Sequence, residues 1–284
     1  MIDFWHKKKT QTGTLAAFLL IYCSSFILSQ AQSPYQLRPG RELAIVGVGA
    51  ITGISALVLE KRVVTLTEDQ IINLDRLGVS RFDRGATNQF STNADQISDV
   101  TLAGNVALLG LLTVGTKPIR QDIFTVGVMY FETVLLANGI QRSVKNIVQR
   151  TRPFVYNPAA PLAEKLNRNA RQSFFSGHTT NAFATAVFTG EVFGHYFPGS
   201  GLKPVVWAGS LGLATATAVL RYEAGKHYLT DLLAGAAFGA LVGWGIPKLH
   251  EEKNHSQLGQ RLEVQPWSNG QANGIYVRLA VFSR

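Results

Sequence analysis

Residues 229–246 read LTDLLAGAAFGALVGWGI, an apolar run with Gly235, Gly239 and Gly243 at four-residue spacing. That spacing is close to one helical turn, so the three glycines share a face on which a second helix can approach the backbone. The run is slightly shorter than the ~20 residues that cross a bilayer squarely. Five comparable stretches precede it, at 43–59, 98–116, 123–140, 179–196 and 205–220. Glu132 and Glu191 fall inside two of them and are expected to face the bundle interior, because a carboxylate against lipid is costly. The expected fold is therefore all-α, a multi-helix transmembrane bundle of about six helices.

Composition agrees with lipid as a solvent. The chain has 284 residues, 46% hydrophobic and only 16% charged, against roughly 25% charged in an ordinary soluble domain. Its net charge of +9 could suit nucleic acid. The basic residues, however, sit in loops between apolar runs and no nucleic-acid motif accompanies them, so no nucleic-acid partner is expected and anionic lipid fits better. Cys23 is the single cysteine, which excludes a disulfide framework and a cysteine-based metal site within one chain. No His-Glu-x-x-His pair and no phosphate-binding Gly-rich loop ending in Lys-Ser/Thr is present.

The flanks read differently. Residues 1–31 carry Lys7-Lys8-Lys9, an apolar run from Leu15 to Leu28, and the small residues Ser29 and Ala31. This is the pattern of a secretory signal peptide, or else of an uncleaved N-terminal anchor. Residues 32–250 form the helical domain. Residues 251–284 are a polar C-terminal tail in which Asn269-Gly270 and Asn273-Gly274 mark turns and 275–282 favours strand, which leaves room for a short β-hairpin.

Three clusters carry the chemistry. Lys145 is followed after six residues by Arg152-Pro153; Ser176-Gly177-His178 opens the run at 179–196; and Arg221 is followed after five residues by His227 and after three more by Asp231. Three fixed cations with two histidines and one carboxylate suit a phosphate rather than a metal. Lys145, Arg152 and Arg221 are expected to hold phosphate oxygens. Ser176 and Gly177 precede a helix, where backbone N–H groups can point at an anion. His227 and Asp231, four apart, fall on one helical face, so Asp231 is expected to take the proton of one ring nitrogen of His227 and free the other to attack phosphorus. His178 is left as general acid toward the leaving oxygen and then as base for water. Arg142, Arg150, Lys165, Arg168 and Arg171 lie off the pattern and read as surface charge attracting an anionic headgroup. His6, His195, His250 and His255 have no spaced partners and receive no role.

In these motifs the chain resembles the type-2 phosphatidic-acid phosphatase superfamily, whose pattern is Lys-six-Arg-Pro, Pro-Ser-Gly-His and Ser-Arg-five-His-three-Asp. Every charged and imidazole position matches. Phe175 stands where the family usually has Pro, and Leu220 where it usually has Ser. The resemblance, over roughly residues 98–250, implies metal-independent hydrolysis of a lipid phosphate or pyrophosphate through a phosphohistidine, with no cofactor and no metal ligand. Substrates implied by the family are undecaprenyl pyrophosphate, phosphatidylglycerol phosphate, phosphatidic acid or a lipid A phosphate. Rival readings are a soluble periplasmic acid phosphatase of broad specificity, a vanadium haloperoxidase, or a non-catalytic protein that binds or transports a lipid phosphate.

Two apolar crossings separate the second cluster from the third, so all three clusters are expected on one face of the membrane. Lys117, Arg120, Lys203 and Lys248 lie in the turns at the other end and mark it as cytoplasmic. The expected location is a bacterial-type cell envelope, in the inner membrane, with the site facing the periplasm. A cleaved leader would give the opposite parity, unless residues 43–59 stop short of crossing or the leader does not act as a signal.

Overall fold

The computed structural model describes residues 33–252, 262–268 and 273–279; the leader reading at 1–31 lies outside them. Six long helices make up the body: α1 Pro39–Glu60, α2 Thr92–Gly115, α3 Ile123–Val148, α4 Gly177–Tyr196, α5 Lys203–Glu223 and α6 Leu229–His250. They run alternately up and down. One end of the bundle carries 61–91, 149–176 and 224–228; the other carries the short turns 116–122 and 197–202. Residue Tyr35 forms a β-bridge with Glu251, so both ends of the helical body meet away from the three clusters. Beyond it, β1 Leu262–Ser268 pairs antiparallel with β2 Asn273–Leu279, Leu262 opposite Leu279 and Ser268 opposite Asn273. This is the hairpin for which the tail left room.

Helix α4 is the centre, packed against α2, α3, α5 and α6. The glycine stripe of α6 explains how closely they meet. A Cβ on Gly239 would come within 2.2 Å of Thr180 O, and one on Gly243 within 2.3 Å of Ala184 O. Polar side chains within the bundle add interhelical bonds, of the kind that hold helices together where lipid supplies no hydrophobic drive. Asn105 Nδ2 donates to Ala182 O at 2.9 Å and to Ser210 O at 3.3 Å, joining α2 to α4 and α5. Asn146 Nδ2 donates to Ala56 O at 2.8 Å and Ser143 Oγ to Thr52 O at 3.0 Å, joining α3 to α1.

The perimeter is apolar. Leu43 is 76% exposed, Ile51 67% and Leu111 72%, an arrangement that only lipid accommodates over so many helices. Pro39–Glu60, Thr92–Gly115, Ile123–Tyr156, Lys203–Glu223 and Leu229–His250 are each long and apolar enough to cross a bilayer. Helix α4 is less apolar because its neighbours shelter it: Thr179, Thr180, Thr185 and Thr189 are buried among them. The chain is a membrane protein, and a soluble phosphatase would not carry this surface.

Two boundaries differ from the sequence reading. Helix α1 has 22 residues, about 33 Å at 1.5 Å per residue, so its length gives no reason for it to stop short of crossing. Helix α3 runs to Val148, eight residues past the apolar stretch, so Lys145 stands on its last turn and not in a loop. Glu132 is fully buried, as its position inside α3 required.

Candidate active site

All three clusters converge at one end of the bundle around a cavity of about 520 Å³, whose lining includes Lys145, Arg152, Gly177, His178 and Arg221. Ser176, His227 and Asp231 are buried completely and lie behind that lining. Each cluster is delivered by a local device. Gln149 closes α3 in the left-handed conformation at φ 47°, turning the chain so that Arg152 follows Lys145 into the site. Gly225, at φ +67°, turns the chain from Arg221 toward His227; a Cβ there would meet Gln89 O at 2.1 Å, so only glycine fits. Ser176 caps α4, its Oγ accepting from Thr179 N at 3.4 Å, and its own N–H donates to Asp231 O at 3.1 Å. A Cβ on Gly177 would press on the Gln141 amide at 3.1 Å.

The cations are partly committed to protein and partly free. Arg152 is buried, and its Nε donates to Asn169 O at 2.9 Å; no partner among the described residues takes its terminal nitrogens. Lys145 Nζ likewise has no hydrogen bond or ion pair there. Arg221 Nη1 pairs with Asp95 and reaches Ser98 Oγ at 3.3 Å, while its buried Nε is unpartnered. Asp95 also receives Lys226 Nζ at 3.2 Å. His178 Nε2 lies 2.7 Å from Asp99 Oδ1.

His227 corrects one expectation. Its Nδ1 lies 2.8 Å from Ser173 O, whereas Asp231 Oδ2 is 3.8 Å away. A carbonyl can only accept, so Nδ1 carries the proton and Nε2 presents its lone pair. That Nε2 is buried and has no hydrogen-bond partner. Burial, followed by the charges of Arg152, Lys145, Arg221 and His178, holds the ring well below the ordinary imidazole range. His227 is thus neutral, with one tautomer.

Asp231 acts one bond further out. Its Oδ2 accepts Ser173 Oγ at 2.5 Å and Tyr228 N at 3.0 Å, and its Oδ1 accepts Arg150 Nη1 at 2.5 Å. Arg150, read from sequence as surface charge, is a structural clamp. It also donates to Thr230 Oγ1 at 2.8 Å and Asp83 Oδ2 at 2.8 Å, and stacks 4.0 Å above Tyr228. Asp83 is buried, which raises its carboxyl, but bonds from Arg150 and Thr230 outweigh that and hold it below the usual range. Of the other off-pattern cations, Arg142 and Arg168 are exposed as read, whereas Lys165 is buried. Asp83, Asp95, Asp99 and Ser173 were missed in the sequence. Only Asp95 and Asp99 carried a signal, their i,i+4 spacing on α2.

Residues 127–255, which hold every motif, match the PAP2 superfamily. Over those residues the chain is similar to members of that superfamily. The chain is also similar to a protein of Porphyromonas gingivalis named lipid A 4'-phosphatase, 26% identical over 153 residues, or 53% of this chain and 61% of that relative. The chain therefore spans about three fifths of the length of this curated relative. A crystal structure of a transmembrane PAP2-type phosphatidylglycerolphosphate phosphatase from Bacillus subtilis is also similar. The match has 18% identity and a TM-score of 0.35, and covers 74% of this chain and 98% of that one.

Proposed function

We propose that the chain hydrolyses the phosphate monoester or pyrophosphate of a membrane lipid, without a metal at the reacting phosphorus, through a phosphoryl group carried on His227. The observation that supports this reading most is the buried, unpartnered Nε2 of a His227 whose tautomer is set by Ser173 O. In the first step the Nε2 lone pair forms an N–P bond while the P–O bond to the lipid breaks. His178 gives a proton to the leaving oxygen. Lys145, Arg152, Arg221 and the backbone N–H groups of Gly177 and His178 hold the equatorial oxygens, whereas the Ser176 N–H, expected among them, is taken by Asp231 O. In the second step water attacks phosphorus, its proton passes to His178, the N–P bond breaks, and inorganic phosphate leaves. A protein that only binds phosphate has use for the cations but none for so arranged a histidine.

The cavity is larger than one phosphate needs and is edged by Asn138, Gln141 and Asn181, a lining that suits a polar headgroup. The name of the Porphyromonas gingivalis relative makes a phosphorylated glycolipid the first substrate to test, beside phosphatidic acid, phosphatidylglycerol phosphate and undecaprenyl pyrophosphate. Phosphate release from this panel in detergent micelles tests the function: at least one lipid should turn over, and release from none would remove the proposal.

We further place the site on the periplasmic side of an inner membrane. With α1 crossing, this needs the leader to leave both ends of the bundle, and the basic turns with Lys117, Arg120 and Lys203, in the cytoplasm. Single cysteines near Asn157 and near Lys117, in a chain lacking Cys23, report the sidedness in intact cells. An impermeant maleimide should label the first; labelling of the second alone would invert the topology.

A further inference from the structure

A second constellation sits at the end of the bundle opposite the phosphate site, where α1, α3 and α6 meet. Glu42 stands on the first turn of α1, Glu132 within α3 and His250 at the end of α6. Glu132 and Lys145 are thirteen residues apart on α3, about 20 Å along the helix axis. His250 Nε2 lies 3.1 Å from Glu42 Oε1 and 3.1 Å from Glu132 Oε2. Glu132 and His250 are both fully buried.

The bonding of these groups is incomplete in a telling way. Among the described residues, seven buried side-chain atoms lack a hydrogen-bond partner. Two of them, Arg221 Nε and His227 Nε2, belong to the phosphate site. Four belong to this cluster: both oxygens of Glu132, Glu42 Oε2 and His250 Nε2. A buried carboxylate with neither oxygen hydrogen-bonded is expensive, and a lone ion pair compensates it poorly. The phosphate site leaves atoms open for a ligand, and the same pattern is repeated here.

The open atoms are all metal donors. One atom from each of Glu42, Glu132 and His250 lies within 4.8 Å of the others. Donors bound about 2.0–2.2 Å from a common cation stand roughly 3.0–3.4 Å apart, and His250 Nε2 stands 3.1 Å from an oxygen of each carboxylate. His250 Nδ1 is 2.8 Å from Ile246 O, so Nδ1 carries the proton and Nε2 is the coordinating nitrogen, the orientation usual for a metal-bound imidazole. Arg41 grips Glu42 Oε1 from the rim, with Nη2 at 2.7 Å and Nε at 3.0 Å, as an outer partner orients a ligating carboxylate.

A neighbouring carboxylate–histidine group shows what a satisfied cluster looks like. His195 Nε2 meets Glu251 Oε1 at 2.6 Å, and Lys248 Nζ supplies the fixed cation at 2.5 Å from the same oxygen. No lysine among the described residues pairs with the Glu132 oxygens.

We infer that Glu42, Glu132 and His250 bind one divalent first-row cation, of the zinc or manganese class, which pins α1, α3 and α6 together at the end of the bundle remote from the phosphate site. One imidazole with two carboxylates suits such ions better than calcium or magnesium, which prefer oxygen alone. The role is structural, so it is independent of how the phosphate site works.

The test is metal analysis of the full chain, purified in detergent without a polyhistidine tag, beside its thermal unfolding. One zinc or manganese per chain is expected after incubation with Zn²⁺ or Mn²⁺ and gel filtration. Removal by a strong chelator should lower Tm by several degrees, and the same ion should restore it. Glu132→Gln should lose the metal and the metal-dependent part of Tm. Wild-type protein that takes up neither ion stoichiometrically, with a Tm indifferent to both and to chelator, would overturn the inference and leave an ion pair with a shared proton. That result needs no variant to fold.

Discussion

His227 Nδ1 is bonded to the main-chain oxygen of Ser173 at 2.8 Å, and the carboxylate four residues along its own chain, Asp231, is 3.8 Å away. The orienter of the histidine is therefore a loop carbonyl, and Asp231 holds that loop through Ser173 Oγ. This separates residues that touch the reacting atoms from residues that place them.

Asp231 and Arg150 should behave as positioning residues. Arg150→Ala strips Asp231 and Asp83 of their cation, and both carboxylates are buried. It should destabilise the fold by about 2–4 kcal/mol, below the full cost of breaking a buried pair because Arg150 is partly exposed. Ser173→Ala removes one hydrogen bond but keeps the carbonyl, and should cost about 1 kcal/mol in transition-state stabilisation, near fivefold in kcat/KM. Thermal unfolding beside kinetics checks both. An unchanged Tm in Arg150→Ala would return that residue to the surface role its sequence suggested.

The cage residues should show the reverse. Lys145→Ala, Arg152→Ala and Arg221→Ala should each lower kcat/KM by an amount worth about 2–4 kcal/mol, as for loss of an oxyanion donor. Arg152→Lys should not rescue, since a point charge does not reproduce the fork. Arg152→Ala should lower Tm by far less than Arg150→Ala, because only its Nε, bonded to Asn169 O, has a partner among the described residues. A large fall in Tm with kinetics intact would mean that Arg152 serves the fold.

The pH dependence follows from the direction of the His227 shift. Its folded pKa is lowered, by burial first and the surrounding cations next, so the reactive neutral form persists below the ordinary imidazole value of about 6.5. The acid limb of kcat/KM, corrected for ionisation of the substrate, should lie below that value. Linkage gives the same sign for stability. As pH falls below about 6.5 the unfolded chain gains a proton on this residue before the folded chain does, so stability should decline. An acid limb centred near 6.5 would contradict the buried, neutral assignment.

The apolar runs made the bundle legible, and Gly235, Gly239 and Gly243 marked a face open to close approach, because spacing alone determines which side chains share a helical face; that α4 is the helix lying on it came from the fold. The spaced motifs located Lys145, Arg152, Ser176, Gly177, His178, Arg221, His227 and Asp231, which the fold brings to one end. Three things were hidden. The clamp of Arg150 on Asp83 joins residues 67 apart, a relationship with no local period. The bond of His227 to Ser173 uses a backbone oxygen, which every residue has and no pattern marks. The cluster of Glu42, Glu132 and His250 joins three helices, one residue from each. Sequence separation concealed it, although the demand that Glu132 face inward pointed to the bundle interior.

The most direct test of the account is to trap the phosphoryl enzyme. Full-length protein mixed with a phosphorus-labelled lipid phosphate and quenched in alkali should carry an acid-labile, alkali-stable label on the peptide containing His227, with none in His227→Ala and no turnover by that variant. Undiminished turnover by His227→Ala, or label on another residue, would contradict the central claim.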